Sequence, residues 1–331
     1  MSKILIFVKG GFHAFQIFWK PSKPTIFFLL AFLLGALGIS LFLAVSMGSV
    51  QISLSDTYRI ILSQLGAPFE IGDISKSTLA IVWNMRLPRV FLGLIVGAGL
   101  SMCGSVMQST VNNPIAEPYV LGISAGATFG ATLSIILGFK VLIGLGSFLG
   151  ALVATVAVLL IASMQGRMTT SSLILSGTVV NALFLAFSNF IISIGANADS
   201  VMTIKFWTMG SLAGTSWAHL TLPTVVVGIA FLFFSTQYRV FNAMMMGDEA
   251  ALTLGIPLRF YWYLYVTIVA IMTAILVSTC GIIGFCWPYH TSSSPKFGWD
   301  KLQKAISDSY FTRCPLCRLG RCSCSCLDSE C

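Results

Sequence analysis

Charged side chains are scarce in this sequence: they make up 9% of its 331 residues, against 56% hydrophobic residues, and the mean hydropathy is +0.90. A water-soluble domain has about 25% charged residues, so this scarcity excludes a soluble protein and indicates an integral membrane protein. The sequence also lacks a G-x-x-x-x-G-K-[ST] loop, which excludes ATP binding of that type. No series of Asp, Glu or His runs through the apolar segments, and no regular Arg repeat is present. A proton-coupled carrier and a voltage sensor are therefore disfavoured.

Seven apolar runs are near the length of about 20 residues that crosses a bilayer. The first run is too long for a secretory signal peptide and has no convincing cleavage site. Four lysines precede it and predict a cytoplasmic N-terminus by the positive-inside rule. The net charge of +8 is thus interpreted as membrane anchoring, and no nucleic-acid partner is expected. The runs cover residues 26–47, 90–110, 119–138, 141–163, 173–195, 219–236 and 260–283.

Small residues recur at every fourth position in three consecutive apolar runs. Such rows line one face of a helix and let two backbones approach closely in lipid. Three rows in succession favour a compact bundle of many helices, as in a transporter or channel, over a single anchor. The rows are Gly93, Gly97, Ser101 and Ser105; Gly122, Gly126 and Gly130; and Gly146, Gly150 and Ala154.

Polar side chains near membrane depth are few and are functional candidates for that reason. One group ends the second apolar run: Gln108, Asn112, Asn113 and Glu117. Asn181 and Asn189 are isolated in the fifth run, where hydrogen bonding between helices is the simpler interpretation.

Two stretches resemble the permease subunits of the iron–siderophore and vitamin B12 ABC importers. The first, at 86–131, reads RLPRVFLGLIVGAGLSMCGSVMQSTVNNPIAEPYVLGISAGATFGA and contains that family's R-L-P-R, N-P-I-A-E-P and L-G-I-S-A-G-A elements. The second, GDEAALTLGIP at 247–257, resembles the family's cytoplasmic coupling segment, with one residue fewer between Glu249 and Leu254. The resemblance extends over roughly residues 25–285.

The resemblance implies an all-α, polytopic transmembrane bundle of the type II ABC importer permease type, with seven intact spans where the family has about ten. It implies a second permease subunit, two ATP-binding subunits and an extracytoplasmic substrate-binding protein as partners, in a bacterial cell membrane. No cofactor, metal or covalent chemistry is expected of this chain. The cargo it implies is a ferric siderophore, with haem or cobalamin as the alternatives.

The resemblance also assigns residues to roles. Arg86 and Arg89 flank Pro88, which is expected to start the second helix, and would meet carboxylates of the binding protein. The alternative for both is snorkelling at the membrane surface. Candidates for the gate or pathway follow that helix: Gln108, Asn113, Pro114, Glu117 and Pro118.

The coupling segment, residues 247–257, is expected to form a short helix with acids in its first turn. A small apolar face of that helix would enter a groove on the ATP-binding subunit, and glycine would stop the helix at its C-terminus. The residues implied are Gly247, Asp248, Glu249, Ala250, Ala251, Leu254 and Gly255.

The pattern fails after Phe285, where a polar tail with seven cysteines begins. If one T is extra in the codons TTT TGT TGG for 285–287, dropping it gives Phe-Val-Gly and then codons that permit Leu-Ile-Ile-Pro, as the family continues. We therefore expect a cytoplasmic segment 1–25, a membrane domain 26–285 and a frameshifted, unfolded tail 286–331 that leaves transport weak. The rival interpretation is a membrane-anchored metal sensor, because Cys314-x-x-Cys317 is half of a zinc site.

Overall fold

A computed structural model describes residues 23–48, 50, 52–64, 66, 74–113, 116–139, 142–164, 170–245 and 247–283. Within these ranges every regular element is helical. The chain divides into two compact units, 1–42 and 43–331. The predicted metal half-site and frameshift junction lie outside the described residues, as does Pro114.

Long helices alternate with short ones along the described chain. In chain order they are α1 Lys23–Ser46, α2 Leu54–Gln64, α3 Lys76–Ala80, a π-helical segment Ile81–Arg86, α4 Leu87–Val111, a 3₁₀ turn Pro118–Leu121, α5 Ile123–Ile136, α6 Ile143–Ser163, α7 Thr170–Gly195, α8 Ala198–Thr208, α9 Trp217–Thr236, α10 Tyr238–Met245, α11 Asp248–Thr253 and α12 Leu258–Cys280.

Each of the seven predicted apolar runs coincides with a helix. Among the described residues, five helices are long and apolar enough to cross a membrane: Lys76–Val111, Ile143–Ser163, Ser171–Gly195, Trp217–Thr236 and Leu258–Cys280. Two shorter apolar helices, Ala31–Ser46 and Ile123–Ile136, account for the remaining runs. The all-α polytopic class is confirmed, whereas the number of crossings stays a prediction.

Helices α4 and α12 form the centre of the second unit. From Gly99 to Val111 every residue of α4 is buried, and one face of α12 is buried along most of its length. The thiol of Cys103 bridges the two helices, because it accepts a hydrogen bond from the Thr273 hydroxyl at 3.3 Å. Leu100, Met102, Tyr265 and Met272 are among the largest side chains of this core.

The start of the second predicted helix is different from the expectation. The helical rod begins at Lys76, not at Pro88, and passes through the π-helical segment Ile81–Arg86 on the way. Proline has no N–H to donate, and the wider π turn accommodates it: the N–H of Leu87 reaches back five residues to the carbonyl of Val82. Pro88 therefore follows a register change within a helix and does not cap one.

Two of the predicted small-residue rows meet each other. A Cβ on Gly126 or Gly130 would collide with the backbone of Gly150 or Gly146, so α5 and α6 touch backbone to backbone. The row on α4 is different, because a Cβ on Gly97 would meet nothing within 4 Å. The close approach of α4 is at Gly99, where a Cβ would lie 2.7 Å from a methyl group of Leu276.

Candidate functional site

A break separates α4 from α5, and its described residues are 112–113 and 116–122. It is called the buried break because Ala116, Pro118 and Leu121 are buried, although Asn112 is exposed. Asn112 adopts a left-handed conformation with φ 49°, and its N–H and that of Asn113 both donate to the carbonyl of Gln108. The carbonyl of Asn113 then accepts from Ala116 at 3.1 Å, and that of Glu117 accepts from Val120 at 3.2 Å. Of the predicted gate residues, Gln108, Asn113, Glu117 and Pro118 thus lie on successive hydrogen-bonded turns.

Part of the break is packed inside the protein. Ala116, Pro118 and Leu121 are buried, although the backbone there is not α-helical. Helix α5 has only 14 residues, which is about 21 Å and too short to cross about 30 Å of hydrocarbon. Irregular backbone is tolerated at membrane depth only where protein or a water-filled cavity surrounds it. The break is therefore a non-helical segment with buried residues, at the position where the sequence predicts the gate candidates.

The 3₁₀ turn is held from two sides. The hydroxyl of Tyr119 donates to the carbonyl of Ile283 at 2.6 Å, beyond the end of α12. On the other side the carbonyl of Val120 contacts the backbone of α7 where Gly177 lies, and no Cβ would fit there. Gly122 ends the turn with φ +74°, a conformation that glycine adopts without strain.

Glu117 is the acidic residue of the break. Its side chain is half-buried, and burial raises the pKa of its carboxyl group above the ordinary value. The charged form is disfavoured because the surrounding protein solvates it less well than water does.

Arg86 points into its own chain. Its guanidinium donates to the carbonyls of Val45 and Ser46, at 3.0 and 2.7 Å, and to that of Val50. These carbonyls include the last ones of α1, where a helix dipole favours a cation. Gly48 makes room, because a Cβ there would lie 2.6 Å from the guanidinium.

The other candidate arginine is close in sequence to the π-helical segment. Arg89 lies one turn into α4 and is partly buried. Nearby, the indole N–H of Trp217 donates to the carbonyl of Trp83 at 3.0 Å, and the two indoles are 5.5 Å apart. Trp83 lies five residues before Pro88, which has no N–H to give to that carbonyl. The π turn is thereby tied to the start of α9.

The coupling segment forms the predicted short helix, α11, and Gly255 stops it. With φ +74° at Gly255, the N–H of Gly255 donates to Leu252 and that of Ile256 to Ala251, which is a Schellman motif. The apolar face predicted from the sequence consists of Ala250, Ala251 and Leu254, and Ala251 departs from that prediction. Ala251 is fully buried inside the chain, while Leu252 and Leu254 are each 61% exposed.

The structure thus brings the gate candidates together but keeps the arginines and the coupling segment apart from them. Sequence reasoning missed Tyr119, Gly177 and Gly48, which fix the turn and the arginine. A tyrosine within the N-P-I-A-E-P-Y motif could have been singled out, since a buried hydroxyl needs a partner. The two glycines carried no signal, because their neighbours come from distant parts of the chain.

Comparisons with known proteins agree with this architecture. The cobalamin import system permease protein BtuC of Halobacterium salinarum is 37% identical over 223 residues, which are 66% of this chain and 59% of that protein. The ABC transporter permease protein YvrB of Bacillus subtilis is 32% identical over 259 residues, which are 75% of this chain and 72% of its own. The vitamin B12 import system permease protein BtuC of Escherichia coli is 33% identical over 208 residues, 62% of this chain and 63% of that protein.

A solved structure shares the fold. It is a metal-chelate type ABC transporter in an inward-facing conformation, with a TM-score of 0.69, 23% identity, and coverage of 86% of this chain and 85% of that one. The FecCD transport family matches residues 36–286, from within α1 to just beyond the last described residue. The chain therefore belongs to the FecCD transport family.

Proposed function

We propose that this chain is the permease subunit of an ABC importer for a metal chelate. The coupling segment supports this proposal. It forms a short helix that ends in a Schellman motif and lies in the chain between the membrane helices α9 and α12. Leu252 and Leu254 of this segment are exposed on the surface of the chain. Exposed leucines beyond the ends of membrane helices suit a protein groove. Two ATP-binding subunits would dock there and hydrolyse ATP, so the chain itself would do no covalent chemistry.

The remaining partners follow from the family. A second permease subunit would complete the pathway, and an extracytoplasmic binding protein would deliver the cargo to the side of Arg86 and Arg89. The N-terminus would then lie in the cytoplasm, as the lysines before α1 predict. The guanidinium of Arg86 already binds backbone carbonyls of its own chain, which weakens the docking role predicted for Arg86.

Co-purification tests the coupling segment. The chain would be expressed with the ATP-binding subunit of its own cell, and the pair would be isolated through a tag on the permease. Leu254→Asp should abolish co-purification, because a carboxylate would be buried in the groove without a partner. Leu54→Asp on α2, where the leucine is 51% exposed, is the matched control. Retention of the ATP-binding subunit by Leu254→Asp would overturn the proposal.

The acids of the coupling segment offer a second variant. Replacing Asp248 and Glu249 together by Ala should also release the ATP-binding subunit, whereas Asp199→Ala on α8 should not. A carrier that needs no ATPase, or a metal sensor that uses the tail, would show no ATP-binding subunit in any of these samples.

The cargo we propose is either a ferric siderophore or cobalamin. A ferric siderophore is the expectation from the sequence, and cobalamin is favoured by the names of the Halobacterium and Escherichia relatives. Uptake of radiolabelled cyanocobalamin and of a radiolabelled ferric siderophore would be compared in cells that lack their own permease. Because the tail is expected to impair transport, both the gene as it stands and a frame-restored gene are needed.

A change of reading frame after Phe285 is part of this proposal. The family match ends at residue 286 although the sequence continues for a further stretch, which supports the change. The cysteines of 286–331 would then be the out-of-frame reading of valine and alanine codons. The chain as it stands would assemble with its partner through the coupling segment but transport weakly.

A further inference from the structure

Helix α12 links the coupling segment to the buried break. It begins at Leu258, five residues after the end of α11. The Schellman motif ties the connecting residues Gly255 and Ile256 to α11, and the carbonyl of Ile256 accepts from the N–H of Leu258 at 2.9 Å. Its 23 residues span about 35 Å. A displacement of α11 would therefore act on the N-terminal end of α12.

One face of α12 is enclosed by other helices from Tyr265 to Cys280, so close packing holds the helix over most of its length. Its inward face packs on α4, through Thr273 against Cys103 and Leu276 against Gly99. At the coupling end, Tyr265 is fully buried, stacks on Phe241 of α10 at 4.6 Å between ring centroids, and donates to Gln237. Close-packed interiors transmit displacement because they have few voids to absorb it.

The C-terminal end of α12 is hydrogen-bonded and packed against the residues that follow α8. The helix ends at Gly281, with φ +76°, and the N–H of Ser211 donates to the carbonyl of Cys280 at 2.8 Å. Gly210 and Gly281 lie against each other, since a Cβ on Gly281 would be 2.8 Å from the Cα of Gly210. These contacts join α12 to the loop after α8.

One contact joins it to the break. The carbonyl of Ile283 accepts the Tyr119 hydroxyl at 2.6 Å, and Ile283 itself is buried. Tyr119 is in the same 3₁₀ turn as Pro118 and directly follows Glu117 and Pro118 in the chain. The other side of this turn contacts the backbone of α7 at Gly177. A displacement of Tyr119 would therefore move the 3₁₀ turn relative to α7.

We propose that Tyr119 is the positioning residue that couples α12 to the buried break, so that a displacement of the coupling segment moves the turn at 116–122. The inference rests on the proposed function, because it takes the displacement to come from an ATP-binding subunit. It assigns to the Tyr119 hydroxyl a role in transmission that is separate from its contribution to folding.

Hydrogen–deuterium exchange with mass spectrometry tests the link. The complex of the chain with the ATP-binding subunit would be compared with and without a non-hydrolysable ATP analogue. In the original sequence we expect the nucleotide to change exchange both at 247–257 and at 116–122. In Tyr119→Phe the change at 247–257 should remain, and the change at 116–122 should be lost. Tyr263→Phe, an exposed tyrosine on α12, is the matched control and should behave like the original.

The outcomes separate the two proposals. Without co-purification, or without a response at 247–257, the proposed function fails, and this inference fails with it. A response at 247–257 with none at 116–122 in the original sequence overturns the inference alone, and this arm needs no variant to fold. The inference is also overturned if Tyr119→Phe retains the response at 116–122, since a merely structural hydroxyl would leave the nucleotide-dependent difference in place.

Discussion

Arg86 shows how a residue can satisfy a motif and still occupy another position in the fold. The R-L-P-R motif suggests two outward-pointing cations, yet the guanidinium of Arg86 caps the end of α1 and binds three backbone carbonyls. A guanidinium has five N–H donors in a planar fork, which suits several carbonyls at once. Gly48 permits this arrangement by leaving space beside the fork.

Replacing Arg86 by Lys should therefore destabilise the protein although the charge is kept. The ammonium group has no fork with which to reach all three carbonyls, and we expect a loss of about 1–2 kcal/mol, since hydrogen bonds to charged groups contribute about 1.5–3 kcal/mol and one of these is exposed. Thermal unfolding in detergent would measure the loss. Arg59→Lys, at an exposed position of α2, is the control and should stay within about 0.5 kcal/mol. Equal melting of the two variants would contradict the capping role.

Glu117 gives the buried break a pH dependence of definite sign. Burial raises the pKa of its carboxyl group, so the folded protein binds a proton that the unfolded chain has released. The free energy of unfolding should then fall as pH rises from about 4.3, the value in an unfolded chain, through the raised value in the folded protein. Glu117→Gln should remove this fall and be the more stable variant at pH 7. Melting curves recorded from pH 4 to 8 would check it, and parallel profiles for the two proteins would refute it.

Among the helices, α5 and α6 depend most directly on residue size. Their glycines let the two backbones touch, and membrane helices associate through such packing because lipid offers no hydrophobic driving force. On α4 the same spacing of small residues has no such effect at Gly97, because a Cβ there would meet nothing within 4 Å. Spacing alone therefore predicts a possible contact surface, and the fold decides whether a partner occupies it.

Gly130→Ala and Gly97→Ala compare a glycine in a close helix contact with a glycine in open space. The first places a methyl group into the backbone of α6 and should cost about 1–3 kcal/mol, the usual penalty for overpacking. The second adds a methyl group in open space and should be neutral or stabilising by up to about 1 kcal/mol, because alanine favours the helix. Unfolding of both variants by titration with a denaturing detergent would compare them. A Gly97→Ala variant less stable than Gly130→Ala would show that α4 has a close neighbour at that face.

For the whole molecule, the decisive question is the reading frame after Phe285. We expect resequencing of codons 285–287 to find a T-run with one extra base, and deletion of that base to replace the cysteine-rich tail by a hydrophobic sequence. Cells with the restored gene should take up the cargo, and cells with the gene as it stands should take up little. An unbroken frame, or full uptake with the present tail, would end the frameshift hypothesis. Zinc binding by a 300–331 peptide that is lost in Cys314→Ser would instead favour the metal sensor.

Much of the architecture was predictable because lipid imposes simple rules. Apolar length located seven helices, and Gly255 was predicted to stop the coupling helix. The start of α4 was misplaced because Pro88 normally begins a helix, and only the π turn before it allows the rod to continue. Helices α2, α8 and α10 were missed because they are short or less apolar than the membrane runs.

The amino-acid sequence alone specifies a membrane bundle of the FecCD type, because composition, run length and two contiguous motifs are local properties of the chain. Helix packing is what turns Arg86 inward, buries Ala251 while Leu252 stays exposed, and brings Tyr119 to Ile283. These contacts join residues up to 164 positions apart, and such pairings depend on the arrangement of all the helices. Periodicity along one helix specifies a face, whereas the partner of that face is fixed by the rest of the fold.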